Sequence, residues 1–131
     1  MRVAMLQNYG VDDALAAIIS DAAGRKAEIG ARAGQWAQHF DANALLTIMT
    51  VMASFDIRAD LASLQARLLY VLSRTDPIFP PSLAASTMAE LAAAGVAAEY
   101  FEIDSDAGHS AASAHWAVWA PVLGNFISRR D

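Results

Sequence analysis

Two residue types that cooperate in acid–base chemistry, an aspartate and a histidine, each follow a short apolar run. Asp76 comes after the run at residues 67–73, and His109 comes after the run at residues 97–103. A histidine can take a proton from a nucleophile, while a buried carboxylate fixes the histidine's tautomer and stabilises the imidazolium. An acid after one strand and a histidine after the next are the last two members of a Ser…Asp…His triad. The pattern therefore predicts Asp76 and His109 as a catalytic acid and base.

The two apolar runs are suited to parallel strands that are buried on both faces. Residues 82–94 between them have a helical pattern that stops at Gly95, a well-placed C-cap. Because a further amphipathic helix ends the chain, the order is that of a right-handed βαβ unit followed by a helix. The carboxyl ends of such strands share one edge of the sheet. We therefore expect the Asp76 carboxylate and His109 Nδ1 to lie roughly 2.6–3.2 Å apart.

The first half of the chain contains only helical patterns. We expect a helical lid or cap segment at residues 1–64 and a βαβα part at residues 65–131. The alternation of strands and helices predicts an α/β fold. Because two parallel strands cannot make a stable sheet alone, we expect this chain to form one end of a larger α/β domain. The helix that Asp41 or Asn43 caps is apolar nearly all the way round, which predicts burial on more than one face. Core packing is likewise expected of Met49, Met52, Trp116 and Trp119.

Composition excludes several classes of protein. The net charge of −5 and the scattered basic residues argue against a nucleic-acid binder. The absence of cysteine excludes a disulfide framework, a thiolate nucleophile and a zinc–sulfur site. We expect no signal peptide at the N-terminus, because its apolar run is short and interrupted by polar residues, and no apolar stretch approaches the roughly 20 residues of a membrane span. We expect a cytoplasmic protein that does not associate with membranes.

Three segments carry a resemblance to a known family. The chain resembles the C-terminal portion of the homoserine O-acetyltransferase family, acyltransferases and related hydrolases of the α/β-hydrolase fold. The resemblance covers nearly the whole chain, and these are the segments: Phe40-Asp41-Ala42-Asn43, Asp76-Pro77-Ile78-Phe79-Pro80-Pro81 and Glu102-Ile103-Asp104-Ser105-Asp106-Ala107-Gly108-His109. The interval of 33 residues from Asp76 to His109 is what the family would place between its triad acid and base. The resemblance implies a covalent acyl-serine mechanism without a metal or bound cofactor, in which an acyl-CoA would be a substrate.

The chain departs from the family pattern in two places and agrees with it in a third. It has no Gly-x-Ser-x-Gly nucleophile elbow, which family members carry on an N-terminal part, so we expect the serine to lie outside this chain. Ser110 follows the histidine where amino-acid acyltransferases of the family have an aspartate for the substrate ammonium group. Arg2 and Tyr9 have the spacing of an arginine and a tyrosine with which the family contacts its substrate. These three residues, Arg2, Tyr9 and Ser110, are the predicted substrate-binding residues.

Alternative interpretations stay open beside this one. Asp76 before Pro77 could be a turn residue, and Asp104 and Asp106 could suggest a metal with His109, although a polar turn explains them better. The chain could act on esters as a hydrolase rather than as an acyltransferase. It could also be a non-catalytic module that pairs its exposed sheet edge with a second copy. A homodimer, or pairing with the N-terminal part, is expected in each case.

Overall fold

A computed structural model describes residues 1–129, which form a mixed α/β structure with a two-stranded parallel sheet. Strand β1 spans Leu68–Ser73 and strand β2 spans Ala98–Ile103, paired in register from Leu68 opposite Ala98 to Ser73 opposite Ile103. Both strands begin one residue later than the sequence predicts. The last two residues of the predicted 65–131 part lie outside the described residues.

Helix α5, Ala84–Ala93, connects the two strands and packs against β2. A 3-10 turn at Pro81–Leu83 leads into it. Gly95 ends it in the left-handed region at φ +76°, which L side chains rarely adopt, as the predicted C-cap requires. After β2 come a 3-10 turn at Gly108–Ser110, helix α6 (Ala111–Ala114) and helix α7 (Trp116–Ser128). The predicted order of strand, helix, strand and helix is confirmed.

Three helices form the N-terminal part: α1 at Arg2–Asn8, α2 at Val11–Ala16 and α3 at Ala22–Ala37. Their buried core consists of four apolar side chains: Leu6, Leu15, Ile29 and Ala33. The carboxylate of Asp21 caps α3 by accepting a hydrogen bond from the Gly24 amide at 2.7 Å. Trp36, in the last turn of α3, stacks on Phe40, which follows the helix, with ring centroids 3.8 Å apart.

Helix α4 spans Ala42–Ser54, and Asp41 caps it by accepting a hydrogen bond from the Asn43 amide at 2.8 Å. The prediction that this helix is buried is wrong, because none of its residues is buried. Met49 and Met52 are 54% and 62% exposed, so their predicted core packing is wrong as well. No other element among residues 1–129 covers the apolar surface of α4, and only a 3-10 turn at Arg58–Ser63 separates it from β1.

The second part of the chain buries few apolar residues. Among the described residues there are six: Leu72, Ala84, Leu91, Val96, Ile103 and Ala111. Trp116 is 63% exposed, so its predicted place in the core is wrong, whereas Trp119 is half-buried and donates its indole N–H to the Ala112 carbonyl at 2.9 Å. Among the described residues, no helix has both the length and the apolar character needed to cross a membrane.

Candidate active site

The loops after the two strands bring the predicted acid and base together. Asp76 lies three residues beyond β1, and His109 lies in the 3-10 turn after β2. Because adjacent parallel strands end at the same edge of a sheet, the two loops are neighbours. His109 Nδ1 lies 2.9 Å from Asp76 Oδ2, within the expected range of roughly 2.6–3.2 Å. The pair has the geometry of the acid–base half of a catalytic triad.

Asp76 is held as a buried carboxylate, with its side chain only 8% exposed. Burial by itself raises the pKa of this carboxyl, but hydrogen bonds from His109 and from two backbone amides outweigh it and leave the pKa below its ordinary value. The amides belong to Ile78, at 2.8 Å, and Phe79, at 3.1 Å, and both donate to Oδ1. Asp76 is therefore ionised at neutral pH. Its Oδ1 accepts from the two amides and its Oδ2 from His109.

The imidazole of His109 lies between two aromatic rings. Tyr9 stacks on it with centroids 4.9 Å apart and an interplanar angle of 28°, and Phe79 lies at 5.7 Å and 36°. Because the partner of Nδ1 is an ionised carboxylate, Nδ1 carries the proton and donates it. Nε2 then carries a free lone pair, and no hydrogen-bond partner for it exists among residues 1–129. A histidine in this state can accept a proton from a hydroxyl.

Ser110 and the corner between α1 and α2 connect the N-terminal part to the histidine loop. The Ser110 hydroxyl donates to the Tyr9 carbonyl at 2.7 Å. Gly10 has φ +75°, and a Cβ on it would meet the Ala107 carbonyl oxygen at 3.1 Å, so a larger residue would strain the backbone and force that carbonyl to shift. The structure thus brings two of the predicted substrate-binding residues, Tyr9 and Ser110, next to His109.

Arg2, the third predicted substrate-binding residue, is not brought to the pair. Its guanidinium lies over the Trp36 ring, 4.8 Å from the centroid, and Arg2 does not line the cavity beside His109. Its Nε is buried and has no hydrogen-bond partner within the described part of the chain. A role for Arg2 in substrate binding stays a prediction.

Asp104 and Asp106 hold an arginine rather than grouping into a cation site. Arg74 donates from Nε to Asp104 and from a terminal nitrogen to Asp106, each at 2.7 Å. Within residues 1–129 no three histidine or carboxylate side chains are grouped so that they could hold a metal ion. The Ser105 hydroxyl and His115 Nδ1 are hydrogen-bonded at 2.6 Å, and Nδ1 of the exposed His39 lies 3.2 Å from the Gln35 carbonyl oxygen. Neither histidine has a carboxylate partner among the described residues.

A cavity of about 280 Å³ lies beside the acid–base pair, along β1. His109 and Asp76 form the polar part of its lining, which is mostly apolar. The lining residues are Tyr70, Val71, Leu72, Ser73, Asp76, Phe79, Ile103, His109 and Ala112.

Comparisons with protein-family models, curated proteins and solved structures found no match to this chain. The geometry of the site is therefore the basis for its chemistry.

The sequence did not identify every residue at the site. Two lining residues of the site were not predicted. Phe79 packs near His109, and Ser73 has a buried hydroxyl without a partner among the described residues. Thr75, which bridges the two loops, was also missed. Phe79 and Thr75 could have been found because they lie within three residues of Asp76. Nothing in the sequence marks Ser73 apart from its place at the carboxyl end of a strand.

Proposed function

We propose that this chain supplies the aspartate and the histidine of a Ser-His-Asp triad, Asp76 and His109, as the C-terminal part of an α/β-hydrolase fold. The reaction is acyl transfer through a covalent acyl-serine. The observation that carries the proposal is the 2.9 Å hydrogen bond between His109 Nδ1 and the buried Asp76 carboxylate. It joins the carboxyl ends of adjacent parallel strands and leaves Nε2 with a free lone pair. The resemblance to the homoserine O-acetyltransferase family supports the same assignment.

In the proposed reaction, His109 moves protons and Asp76 stabilises the charge. Nε2 takes the proton of a serine hydroxyl while the serine oxygen bonds to the acyl carbon, and the imidazolium then gives that proton to the leaving group. An alcohol or water attacks the acyl-serine next and loses its proton to Nε2, and the imidazolium returns this proton to the serine oxygen as the bond between that oxygen and the acyl carbon breaks. Asp76 stays ionised throughout and holds His109 in the productive tautomer.

The serine is expected from another segment or another chain. Among residues 1–129, no serine hydroxyl is hydrogen-bonded to His109, and the nearest in sequence, Ser110, donates to the Tyr9 carbonyl instead. This bond, together with the absence of an aspartate at that position, makes homoserine a poorly supported acceptor. We therefore place an ester hydrolase of the same mechanism beside the acyltransferase. In either case the acyl donor, such as an acyl-CoA, is a substrate and not a cofactor.

Because the serine is expected outside this chain, we expect no acyl-serine turnover from the chain alone. The hydrolysis of p-nitrophenyl acetate by the purified chain instead tests whether Nε2 of His109 acts directly as a base or nucleophile toward this activated ester. General acid–base catalysis contributes about 10²–10⁴-fold in enzymes, so we expect His109→Ala to slow the reaction at least tenfold. His39→Ala is the matched control, since it removes an exposed histidine without a carboxylate partner. Equal rates for the two variants would refute the assignment.

A second candidate function, a non-catalytic module that self-associates, is supported by the amount of exposed surface. The chain has 9000 Å² of accessible surface, against about 6,700 Å² for a compact monomer of its mass. The difference exceeds the roughly 800 Å² that each partner buries in a standard interface. Strand β1 is bonded to β2 on one side only, so a second copy could pair with its open edge.

Light scattering after size-exclusion chromatography tests this second candidate. We expect a dimer that Val71→Pro converts to a monomer, because proline removes an amide from the middle of the edge strand. A wild-type chain that is monomeric at about 100 µM would exclude self-association as its function.

A further inference from the structure

Thr75 lies between the acid loop and the histidine loop and forms hydrogen bonds with two residues of the histidine loop. Its hydroxyl donates to the Ser105 carbonyl at 2.9 Å and accepts from the Gly108 amide at 3.2 Å. Thr75 immediately precedes Asp76, and Gly108 immediately precedes His109. A single hydroxyl therefore connects the neighbours of the proposed acid and base.

Side chains must make this connection because the strand ladder has ended. The last backbone bond between the two strand ends runs from the Arg74 amide to the Ile103 carbonyl at 3.0 Å. Beyond it, no backbone–backbone hydrogen bond joins the two loops within the described part of the chain. The relative position of the loops depends on three side-chain connections, which are the Asp76–His109 pair, Arg74 and Thr75.

The ion pairs of Arg74 are poor candidates for fixing the loops. Arg74 is 46% exposed, and its partners Asp104 and Asp106 are 86% and 83% exposed. Solvent screens such pairs, and exposed ion pairs contribute little on average. The bonds of Thr75 are partly buried and are made to backbone groups, whose positions the chain itself constrains.

Gly108, whose amide donates to Thr75, has an unusual backbone conformation. Its φ of +56° lies in the left-handed region, which L side chains rarely adopt, and a Cβ on it would be in ordinary contact with the Thr75 carbonyl oxygen and Gly10 at 3.8–4.0 Å. The amide that Thr75 accepts belongs to a residue with this unusual backbone conformation. Because Thr75 holds the Gly108 amide, it constrains the backbone immediately before His109, and with it the orientation of the His109 side chain.

We propose that Thr75 is a positioning residue that sets the distance and orientation of Asp76 relative to His109. This inference rests on the proposed function for its consequence in catalysis, but the geometric claim can be tested separately. Without the hydroxyl, the histidine loop loses its two partly buried hydrogen bonds with Thr75. His109 then samples orientations in which Nδ1 no longer faces the carboxylate.

The experiment compares Thr75→Val, which keeps the shape but removes the hydroxyl, with Thr75→Ser, which keeps the hydroxyl. Thr50→Val is the matched control, since Thr50 bonds the Leu46 carbonyl at 2.8 Å on exposed α4, far from the site in sequence. Nitrogen-15 NMR measures which imidazole nitrogen of His109 carries the proton, and hydrogen exchange follows the Gly108 amide. Far-UV circular dichroism verifies that all variants are folded.

We expect Thr75→Val to convert the single Nδ1–H tautomer of His109 into a mixture and to speed exchange of the Gly108 amide about tenfold. Thr75→Ser and Thr50→Val should match the wild type in both measurements. Ester hydrolysis should fall about 10-fold to 100-fold in Thr75→Val, since a small misplacement of a catalytic group is costly. An unchanged tautomer and unchanged exchange in folded Thr75→Val would overturn the inference.

The two hypotheses fail in different ways. If the proposed function is wrong, His109→Ala leaves ester hydrolysis unchanged while the tautomer and exchange of Thr75→Val still respond. If only the positioning role is wrong, His109→Ala slows hydrolysis while Thr75→Val behaves like the wild type. Should Thr75→Val fail to fold, Thr75→Ala under the same measurements takes its place.

Discussion

Replacing Asp76 by asparagine should invert the tautomer of His109. The carboxylate accepts three hydrogen bonds, two at Oδ1 from the Ile78 and Phe79 amides and one at Oδ2 from His109. Asparagine has one acceptor oxygen and one NH₂ donor. Keeping the two backbone bonds places the NH₂ against Nδ1, which must then become an acceptor. The proton therefore moves to Nε2, and the lone pair that would accept a proton is lost.

The stability effect of Asp76→Asn should depend on pH. The pKa of Asp76 is below its ordinary value in the folded chain, because hydrogen bonds from His109 and two amides outweigh the effect of burial. Ionised Asp76 therefore stabilises the fold above its unfolded-state pKa, about 3.9, and this stabilisation is lost as the pH falls through the folded pKa. Loss of one buried charge-assisted bond is worth about 1.5–3 kcal/mol in the free energy of unfolding.

Urea unfolding followed by circular dichroism at pH 7 and pH 3 measures this difference, and nitrogen-15 NMR locates the proton on His109. We expect Asp76→Asn to cost about 1.5–3 kcal/mol at pH 7 and less at pH 3, because pH 3 lies below the unfolded-state pKa of about 3.9 and folding with an ionised Asp76 then requires loss of a proton. An equal cost at both values, or a proton that stays on Nδ1, would refute the reasoning. Asp60→Asn is the control, since this carboxylate lies on the exposed 3-10 turn before β1.

Two further substitutions test other parts of the fold. Gly10→Ala should lower the free energy of unfolding by about 1–3 kcal/mol, because it strains the left-handed backbone and crowds the Ala107 carbonyl. Gly30→Ala, inside α3 with open space around it, should instead stabilise by about 0.5–1 kcal/mol in the same urea titration. Asp21→Ala removes the cap of α3 and should cost about 0.5–2 kcal/mol, measured as a lower thermal midpoint, and an unchanged midpoint would contradict the capping role.

The fold was predictable where local patterns and chain connectivity agree. The two apolar runs and the glycine at residue 95 predicted β1, α5 and β2 with errors of one or two residues. The meeting of Asp76 and His109 followed from this, because parallel neighbours end at one edge of a sheet. The acid–base pair was predictable from sequence for the same reason.

Burial, and contacts between residues far apart in the sequence, were harder to predict. Periodicity shows which faces of α4 are apolar, but it does not show whether anything covers them, and Met52 is exposed here for lack of a neighbour. The stacking of Tyr9 on His109 joins residues 100 positions apart, which no local pattern encodes. The bridging role of Thr75 depends on a loop conformation that only the assembled strands determine.

The contact between the α1–α2 corner and the histidine loop has a consequence for the order of folding. The Ser110 bond to Tyr9 closes a loop of 101 residues, whereas the Asp76–His109 bond closes one of 33. The longer closure costs about 1 kcal/mol more chain entropy. We therefore expect the acid–base pair to form first and the aromatic cover of His109 to dock later. The histidine would then be open to solvent during the final stage of folding.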